Sequence, residues 1–483
     1  MKGLKRTFWW SFTAAIAVRL IVAFQTEGYA HPDELFQVIE PAYGMATGWW
    51  VPTWEWAAGL RHPLLPALWS ILLRACGLLG IPHPFGTARV VFVISGIAAS
   101  VSVGLAAVLT HALSRRSALG LAVGGLAAIG GPFAYFGVHP LSESLSTPLI
   151  MGVLAIAFLR SGTAWAVALG YLATVAFSFR FQSSVLIAPA ILAAAVRNST
   201  LRVRPIAVGL ALGTLQFAAI DWGYWGAPFR SALEYFRFNI ASGGSAFFGV
   251  QPWHFAIESI SRLVGLIPFS AIVLGWLAFF FAWRKSDWRE RILWATCTLF
   301  VGLHAAIPHK EDRFMIPVLL PLAITAALCF NRLFALKTLR AAAGALVLAL
   351  AVSLGLGLYQ TNWRYAGREL RETHALGQDP SLGARIILCG MYPSLTGGQF
   401  YLANPRPFLI VAEIEPCIEA LMQRSASGEV VTLGFFREQR PVFDKLALTQ
   451  EFRVATQHCR RSSIRQGGET GVRLDCIERG PGH

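Results

Sequence analysis

Two adjacent carboxylates, Asp33 and Glu34, follow His31 and Pro32 just after the first long apolar run of the chain. A neighbouring acid and a His can tune the pKa of a carboxyl, so the pair is a candidate general base with a partner. Pro32 disfavours helical backbone at His31, so we expect the first helix to stop there and the acids to project from a turn. The alternative interpretation is an ordinary acidic loop.

Three basic side chains, His309, Lys310 and Arg313, stand beside Glu311 and Asp312 at the start of another apolar run. Charges at membrane depth are costly and are usually functional. Basic side chains in this place suit a phosphate carried on a lipid. The alternative interpretation is a solvated loop with internal ion pairs.

A third segment combines Trp54, Glu55 and Arg61 within a few residues. Aromatic faces stack on sugar rings, and the fork of donors on an Arg binds phosphate. Anchoring of the Trp ring in the lipid headgroup layer is the alternative.

Residues 221 to 258 are rich in aromatic side chains, glycines and single polar groups, which is typical of a carbohydrate-binding surface. Glycine lets the backbone approach a ligand closely. The candidates for contact with an acceptor or a sugar in this stretch are Asp221, Tyr224, Asn239, Trp253 and His254. His31, Trp54 and Glu55, earlier in the chain, are candidates for the same contact.

Ionisable and polar residues also interrupt the apolar sequence at Glu143, Arg180 and Gln182. Such groups inside a helical bundle either pair with one another or line a polar cavity. We regard these three, together with Glu311, as secondary candidates for the same site.

The composition places these groups in a membrane. The chain has 483 residues, of which 55% are hydrophobic and 14% charged. A soluble domain carries about 25% charged residues. Apolar runs near the length of a membrane span recur from residue 8 to about 359, which predicts an all-α polytopic membrane protein. The net charge of +15 lies mainly in short connections between these runs, which indicates a positive-inside arrangement and argues against a nucleic-acid partner.

Twelve candidate spans can be read from the apolar pattern: 8–25, 63–80, 88–112, 117–138, 140–159, 163–178, 181–196, 205–220, 260–283, 291–307, 312–330 and 338–359. Basic residues put both the N-terminus and the loop at 332–340 inside, so the number of crossings must be odd. We therefore expect about eleven spans, with 63–80, or a short member of the 163–196 pair, not crossing. Residues 26–62, 221–258 and 308–313 then share the non-cytoplasmic face.

The composition changes from about residue 365. Strand-like runs at 384–391, 407–414, 429–436, 452–459 and 471–477 predict a small soluble α/β domain over 365–483, after a membrane domain over 1–360. On the outer face, Cys459 and Cys476 can pair across neighbouring strands, or can remain free thiols. The seven Cys show no spacing typical of a metal site.

Four motifs in this order resemble glycosyltransferase family 22, the group that contains the Alg9, Alg12 and GPI mannosyltransferases. They are the acidic pair after His31, the Trp54-to-Arg61 segment, the aromatic run from Asp221 to His254, and the charged motif from His309 to Phe314. The resemblance spans most of residues 1 to 330. One departure is His62, which follows Arg61 where the family usually has Ser, and this leaves the acceptor open.

The resemblance implies a GT-C fold and inverting transfer of mannose from a polyprenyl (dolichyl) phosphate donor to a lipid-linked glycan or glycolipid. Asp33 would be the general base, and Glu34 would position the acceptor or tune Asp33. Arg61, His309, Lys310 and Arg313 would stabilise the phosphate leaving group. No cofactor or metal is expected, and the partners are membrane lipids and the lipid-linked donor and acceptor.

Two other classes of function are weighed against this enzyme. A transporter or flippase of lipid-linked sugars would use Arg180 and Glu143 along a translocation path. Transporters often show internal repeats, and none is visible here. A structural membrane subunit would leave the charged motifs unexplained. The expected location is a bacterial inner membrane or the endoplasmic reticulum membrane, with the active site on the non-cytoplasmic face.

Overall fold

A computed structural model describes residues 2–197, 200–333, 340–378, 385–389, 397–405, 408–411, 431–434, 459–466 and 469–476. The chain divides into two compact units. The larger contains residues 1–26, 55–65 and 89–363, and the smaller contains residues 27–54, 66–88 and 364–483.

The described part of the chain is mostly helical. In chain order the α-helices are α1 (Lys2–Gln25), α2 (Glu40–Thr47), α3 (Trp54–Ala57), α4 (Leu64–Leu78), α5 (Phe85–Ser114), α6 (Ser117–Ile129), α7 (Gly131–Val138), α8 (Ser142–Leu159), α9 (Thr163–Phe179), α10 (Ser183–Arg197), α11 (Thr200–Trp225), α12 (Arg230–Phe236), α13 (Phe255–Val264), α14 (Leu266–Ala282), α15 (Trp288–Ala306), α16 (Ile316–Leu333), α17 (Arg340–Gln360), α18 (Gly367–Gln378) and α19 (Gly398–Leu402). Each of the twelve apolar segments predicted from the sequence overlaps a helix.

Among the described residues, six helices are long and apolar enough to cross a membrane. The pair α6 and α7 is bent by 60° and would make a seventh if it is one span. Four shorter apolar helices are also present, at Leu64–Leu78, Thr163–Phe179, Ser183–Val196 and Ala343–Tyr359. A multi-pass membrane protein is therefore confirmed, and the count of eleven spans stays a prediction.

One helix boundary differs from the expectation. Helix α1 ends at Gln25 and not at His31, and Asp33 precedes a π-helical turn, Glu34–Ile39, that leads directly into α2. The acids therefore begin a helical segment and do not project from a turn. Proline lacks a backbone N–H, which is no loss in the first turn of a helix, so Pro32 helps to start this segment.

The core of the larger unit is a layer of buried aliphatic side chains from α8, α9, α10, α15 and α16. Helices α9 and α11 pack closely against one another at two glycines. A Cβ atom on Gly209 would lie 2.0 Å from the carbonyl oxygen of Val167, and one on Gly213 would lie 1.6 Å from Oγ1 of Thr174. Small residues at such a crossing let helix backbones meet inside a membrane.

In the smaller unit five strands form one sheet, namely β1 (Arg385–Cys389), β2 (Phe408–Val411), β3 (Val431–Gly434), β4 (Cys459–Gln466) and β5 (Glu469–Cys476). Their order is β2-β1-β3-β5-β4, with β1 parallel to β2 and β3, and β5 antiparallel to β3 and β4. The backbone register places Cys459 opposite Cys476.

Several expectations for this region remain predictions. Residues 452–458 of one predicted strand, and most other connections after residue 378, lie outside the described residues. The disulfide and the independent α/β domain over 365–483 therefore stay predictions. The smaller unit does include residues 27–54, which carry the acidic pair.

Candidate active site

A buried carboxylate at the start of α8 holds two guanidinium groups in the larger unit. Oε1 of Glu143 lies 2.8 Å from Nη1 of Arg180 and 3.0 Å from Nη1 of Arg313, and Oε2 accepts a hydrogen bond of 3.0 Å from the hydroxyl of Ser142. The Glu143 side chain has no exposed surface, and those of Arg180 and Arg313 are 6% and 8% exposed. The structure thus brings together three charges that are separated in the sequence.

Phe314 provides an apolar surface for the same two cations. The guanidinium carbons of Arg180 and Arg313 lie 5.1 Å and 5.2 Å from the centre of its ring. A cation near an aromatic face is attracted by the ring quadrupole. The ring therefore helps to hold two like charges at close quarters.

Arg180 retains hydrogen-bonding capacity in this cluster. Its Nη1 also lies 3.3 Å from the hydroxyl oxygen of Ser142. Its Nε and Nη2 are buried and have no hydrogen-bond partner among the described residues. Buried donors without a partner are costly, and a catalytic role or a bound water or ion is a common explanation for them.

The cluster extends through Glu311 to His309. Oε2 of Glu311 accepts a bond of 2.5 Å from Nε of Arg313, and Oε1 lies 2.9 Å from Nε2 of His309. The hydrogen bond to Glu311 raises the pKa of His309 above the ordinary imidazole value. His309 therefore keeps its positive charge to a higher pH than a free histidine.

Lys310 lies in the same loop but has different partners. Its ammonium donates to the carbonyl oxygens of Gln251, at 2.7 Å, and Ile307, at 2.5 Å. These bonds connect the loop to Gln251, near the end of residues 221–258. The predicted contact between Lys310 and a phosphate stays a prediction.

Arg61 and Glu55 form a two-pronged ion pair, with Nε and Nη2 of Arg61 at 3.1 Å and 2.5 Å from the two carboxylate oxygens. The indole N–H of Trp225 donates to the carbonyl oxygen of Arg61 at 3.2 Å. The charge of Arg61 also acts on Arg180 and on Tyr235, so the pair contributes to the electrostatic potential at the Glu143 cluster.

Asp221 is fully buried and occupied by internal contacts. Its carboxylate accepts from the backbone N–H of Ser231 at 2.9 Å and from the Ser231 hydroxyl at 2.8 Å. Nε2 of His62 lies 3.7 Å from Oδ1. Burial lowers the pKa of His62 to about 4, so this imidazole is neutral. Both residues therefore contribute to packing inside the larger unit. Binding of a sugar by Asp221 stays a prediction.

The other candidates within residues 221–258 are on or near the surface. Tyr224 and Trp253 are 39% and 67% exposed, and the side chain of His254 lies 3.3 Å from Glu258. The side-chain amide of Asn239 donates to the carbonyl oxygen of Tyr235 at 3.0 Å. Contact between these residues and a glycan stays a prediction.

The acidic pair lies in the smaller unit. Asp33 is 26% exposed in its side chain, its Oδ1 lies 3.6 Å from Nδ1 of His31, and its Oδ2 accepts a hydrogen bond from the amide of Gln37. Glu34 is only 1% exposed, and its Oε2 accepts a bond of 3.0 Å from the backbone N–H of Ala30. Of the two, Asp33 is the one that a substrate can reach. Trp54, 44% exposed, ends the same segment of the smaller unit.

Two residues beside the Glu143 cluster, Tyr235 and His304, were not predicted from the sequence. The hydroxyl of Tyr235 accepts a hydrogen bond from the side-chain amide of Gln182, and the charge of Arg180 acts on it. His304 is buried in α15, and its ring lies 6.3 Å from that of Phe314. A lone His in an apolar helix was the available signal, and it does not by itself distinguish a core residue from a ligand.

No group of three or more His, Cys, Asp or Glu among the described residues is arranged to hold a metal ion. The expectation that the reaction needs no metal stays a prediction.

Comparisons with known proteins agree with these observations. The sequence model of the Alg9-like mannosyltransferase family matches residues 10–377. The chain is 28% identical over 342 residues to GPI mannosyltransferase 3 of Yarrowia lipolytica, an alignment that covers 68% of this chain and 62% of the relative. It is 25% identical to mannosyltransferase APTG1 of Arabidopsis thaliana, covering 65% of this chain and 57% of that protein. The chain thus spans about three fifths of the length of these curated relatives.

The fold is similar to that of ArnT from Cupriavidus metallidurans. The apo crystal structure matches with a TM-score of 0.63 and 13% identity, and the match covers 96% of this chain and 97% of ArnT. A structure of the same protein bound to undecaprenyl phosphate matches with the same TM-score and 14% identity. At 13–14% identity these likenesses concern the fold alone.

Replacing Glu143 with Gln should destabilise the protein, because two buried guanidinium groups would lose their shared counter-charge. Removing one partner of a buried ion pair costs about 3–5 kcal/mol. The matched control is Glu234→Gln, which breaks a pair with Arg237 whose side chain is 71% exposed, and which should cost less than about 1 kcal/mol. Thermal unfolding in detergent measures both, and equal shifts would contradict the role assigned to Glu143.

Proposed function

Since the chain belongs to the Alg9-like mannosyltransferase family, we propose that it is an inverting membrane mannosyltransferase. The donor is mannose on a polyprenyl (dolichyl) phosphate, and the acceptor is a lipid-linked glycan or glycolipid. No observation on the described residues favours the alternative, a transporter or flippase.

The observation that carries the proposal is the pair of unsatisfied donors on Arg180. Nε and Nη2 are buried N–H groups in the cluster of Arg180, Arg313 and Glu143, which extends through Glu311 to His309. A phosphate oxygen would satisfy these donors. Arginine is well suited to this because its planar fork matches phosphate geometry.

The same donors support the chemical step. When the sugar leaves, its bond to the donor phosphate breaks and the lipid phosphate gains one negative charge. Donors fixed beforehand at that place stabilise the transition state more than the ground state, and in a site of low dielectric this is a large effect. Arg180, Arg313 and His309 are proposed to contact the phosphate, with Arg61 in its pair with Glu55 as a further contributor.

Asp33 is proposed as the general base that removes the proton from the acceptor hydroxyl. The partial exposure of its carboxylate and its orientation by Gln37 support this role. Glu34 is buried and bonded to the backbone, which supports a positioning role. The proposed location is the non-cytoplasmic face of a bacterial inner membrane or of the endoplasmic reticulum membrane.

The proposal is tested first with Arg180→Lys, which keeps the charge but loses the fork of donors. Loss of one such donor typically lowers kcat by about 10²–10³-fold. We expect that loss in proteoliposomes supplied with polyprenyl-phosphate mannose and a panel of lipid-linked acceptors. Arg237→Lys, at an exposed pair, is the control and should keep wild-type turnover. Full activity of Arg180→Lys would refute the role of Arg180 in stabilising the phosphate. If the wild-type protein transfers another sugar and not mannose, the assignment of mannose is refuted.

The second test is Asp33→Asn, which keeps the shape of the side chain but cannot accept a proton. General-base catalysis typically contributes about 10²–10⁴-fold, so turnover should fall in that range while donor binding is largely retained. Glu34→Gln should be milder. Asp287→Asn is the matched control, because Asp287 caps α15 through the backbone N–H of Arg289 and Asn caps equally well. A greater loss at Glu34 than at Asp33 would reassign the base.

The proposed membrane topology is tested with single Cys residues at exposed positions within residues 26–62 and 221–258. Ala58→Cys and Ser242→Cys should react with a membrane-impermeant thiol reagent from the non-cytoplasmic side. Ser117→Cys, beside the basic pair Arg115 and Arg116, should react only from the cytoplasmic side. Mass spectrometry identifies the modified peptide, and the reverse pattern would contradict the proposed face.

A further inference from the structure

One buried carboxylate outside the described cluster has no part in the proposed chemistry. Glu40 begins α2, immediately after the π-helical turn that starts with Glu34, and its side chain is completely buried. Burial raises the pKa of Glu40 to about 7, against the effect of three backbone hydrogen bonds. A carboxylate held in such a place needs partners that offset its loss of hydration.

The three partners come from two distant parts of the chain. Oε1 accepts from the backbone N–H of Val51 at 2.8 Å and of Gln399 at 2.7 Å, and Oε2 accepts from Phe400 at 3.0 Å. The backbone N–H of Glu40 itself donates to the carbonyl oxygen of Leu35, inside the π-helical turn. One residue thus joins the turn after Asp33 to residues 399 and 400, about 360 positions further along the chain.

The backbone around residue 398 is shaped to admit this carboxylate. Gly398 has φ +65°, and a Cβ atom on it would lie 2.5 Å from Oε1 of Glu40. A side chain at this position would therefore be strained and would also displace the carboxylate. The absence of a side chain at 398 is required by the contact with Glu40.

The other end of the acidic segment is attached to the same region. Glu27 pairs with Arg371, and the backbone N–H of Tyr29 donates to the carbonyl oxygen of Tyr365 at 3.3 Å. Asp33 and Glu34 therefore lie between two attachments, at residues 27–29 and at residue 40. Glu40 supplies the attachment that adjoins the helical turn of the acids.

We propose that Glu40 is a positioning residue for the proposed transfer reaction, and that it fixes the turn bearing Asp33 and Glu34 by clamping it to residues 399 and 400. The C-terminal segment is then part of the catalytic apparatus and not an appended module. The catalytic consequence rests on the proposed function, whereas the clamp itself does not.

The first variant is Glu40→Gln. Its amide oxygen can keep the bonds from Val51 and Gln399, but its NH2 group would face the N–H of Phe400. The second variant, Gly398→Ala, disturbs the clamp from the other side and leaves Glu40 unchanged, so a folding failure of either one does not end the test. The control is Glu290→Gln, which removes a buried carboxylate paired with Arg332 in the larger unit.

Two measurements are made on each purified full-length variant. Hydrogen–deuterium exchange of the peptide covering residues 33–39 should be faster in both clamp variants and unchanged in the control. Turnover of polyprenyl-phosphate mannose should fall about 10²-fold in kcat, as expected for a small misplacement of catalytic groups, with KM for the donor unchanged. Loss of folded protein would also lower the apparent kcat at unchanged KM, so turnover is expressed per folded molecule, with the folded fraction of each variant measured by thermal unfolding.

The outcomes are distinguishable. Unchanged exchange over residues 33–39 in both variants overturns the clamp, whatever the activity. Faster exchange with wild-type kcat overturns the positioning role. If the wild-type protein transfers no mannose, the proposed function fails, and the exchange measurement still decides whether Glu40 clamps the turn.

Discussion

The larger unit depends on one electrostatic arrangement, in which the carboxylate of Glu143 neutralises the guanidinium groups of both Arg180 and Arg313. Without it, two like charges would lie together in an apolar bundle, at a cost that no packing around Phe314 could offset. The three residues come from the starts or ends of different helices. Their association therefore fixes how α8, α9 and the loop before α16 meet.

That arrangement leaves two buried donors of Arg180 without a partner among the described residues. Glu143 and Glu311 are shared among Arg180, Arg313 and His309, and the hydrogen bond to Glu311 raises the pKa of His309. A resting site with unused donors is prepared for an anion before the anion arrives. Such preorganisation reduces the rearrangement needed in the reaction itself.

Much of this could be predicted from the sequence. Each predicted apolar run overlaps a helix, because the length and composition of a span follow directly from the bilayer, whereas short helices such as α2, α12 and α18 were not predicted. The order of four charged and aromatic motifs indicated the family. The ion pairs could not be predicted, because Glu143 and Arg313 are 170 positions apart in the sequence and only helix packing brings them into contact. The same limit applies to Asp221 and Lys310, whose residue types do not reveal that Ser231 and backbone carbonyls are their partners here. Their contact with a substrate stays a prediction. The role proposed for Glu40 could not be predicted, because its partners are main-chain N–H groups, which every residue except proline has.

The close packing of α9 and α11 limits how far the position of Arg180 can change. The contacts of Val167 with Gly209, Thr174 with Gly213, and Phe177 with Phe217 advance together along both helices, so the two helices run in the same direction. Arg180 follows the end of one, and Asp221 lies near the end of the other. A single added methyl group at the crossing would act as a wedge, and the splay it causes would grow toward those ends. The spacing between the guanidinium of Arg180 and Asp221 therefore depends on Gly209 and Gly213, which lie more than two helical turns before Asp221.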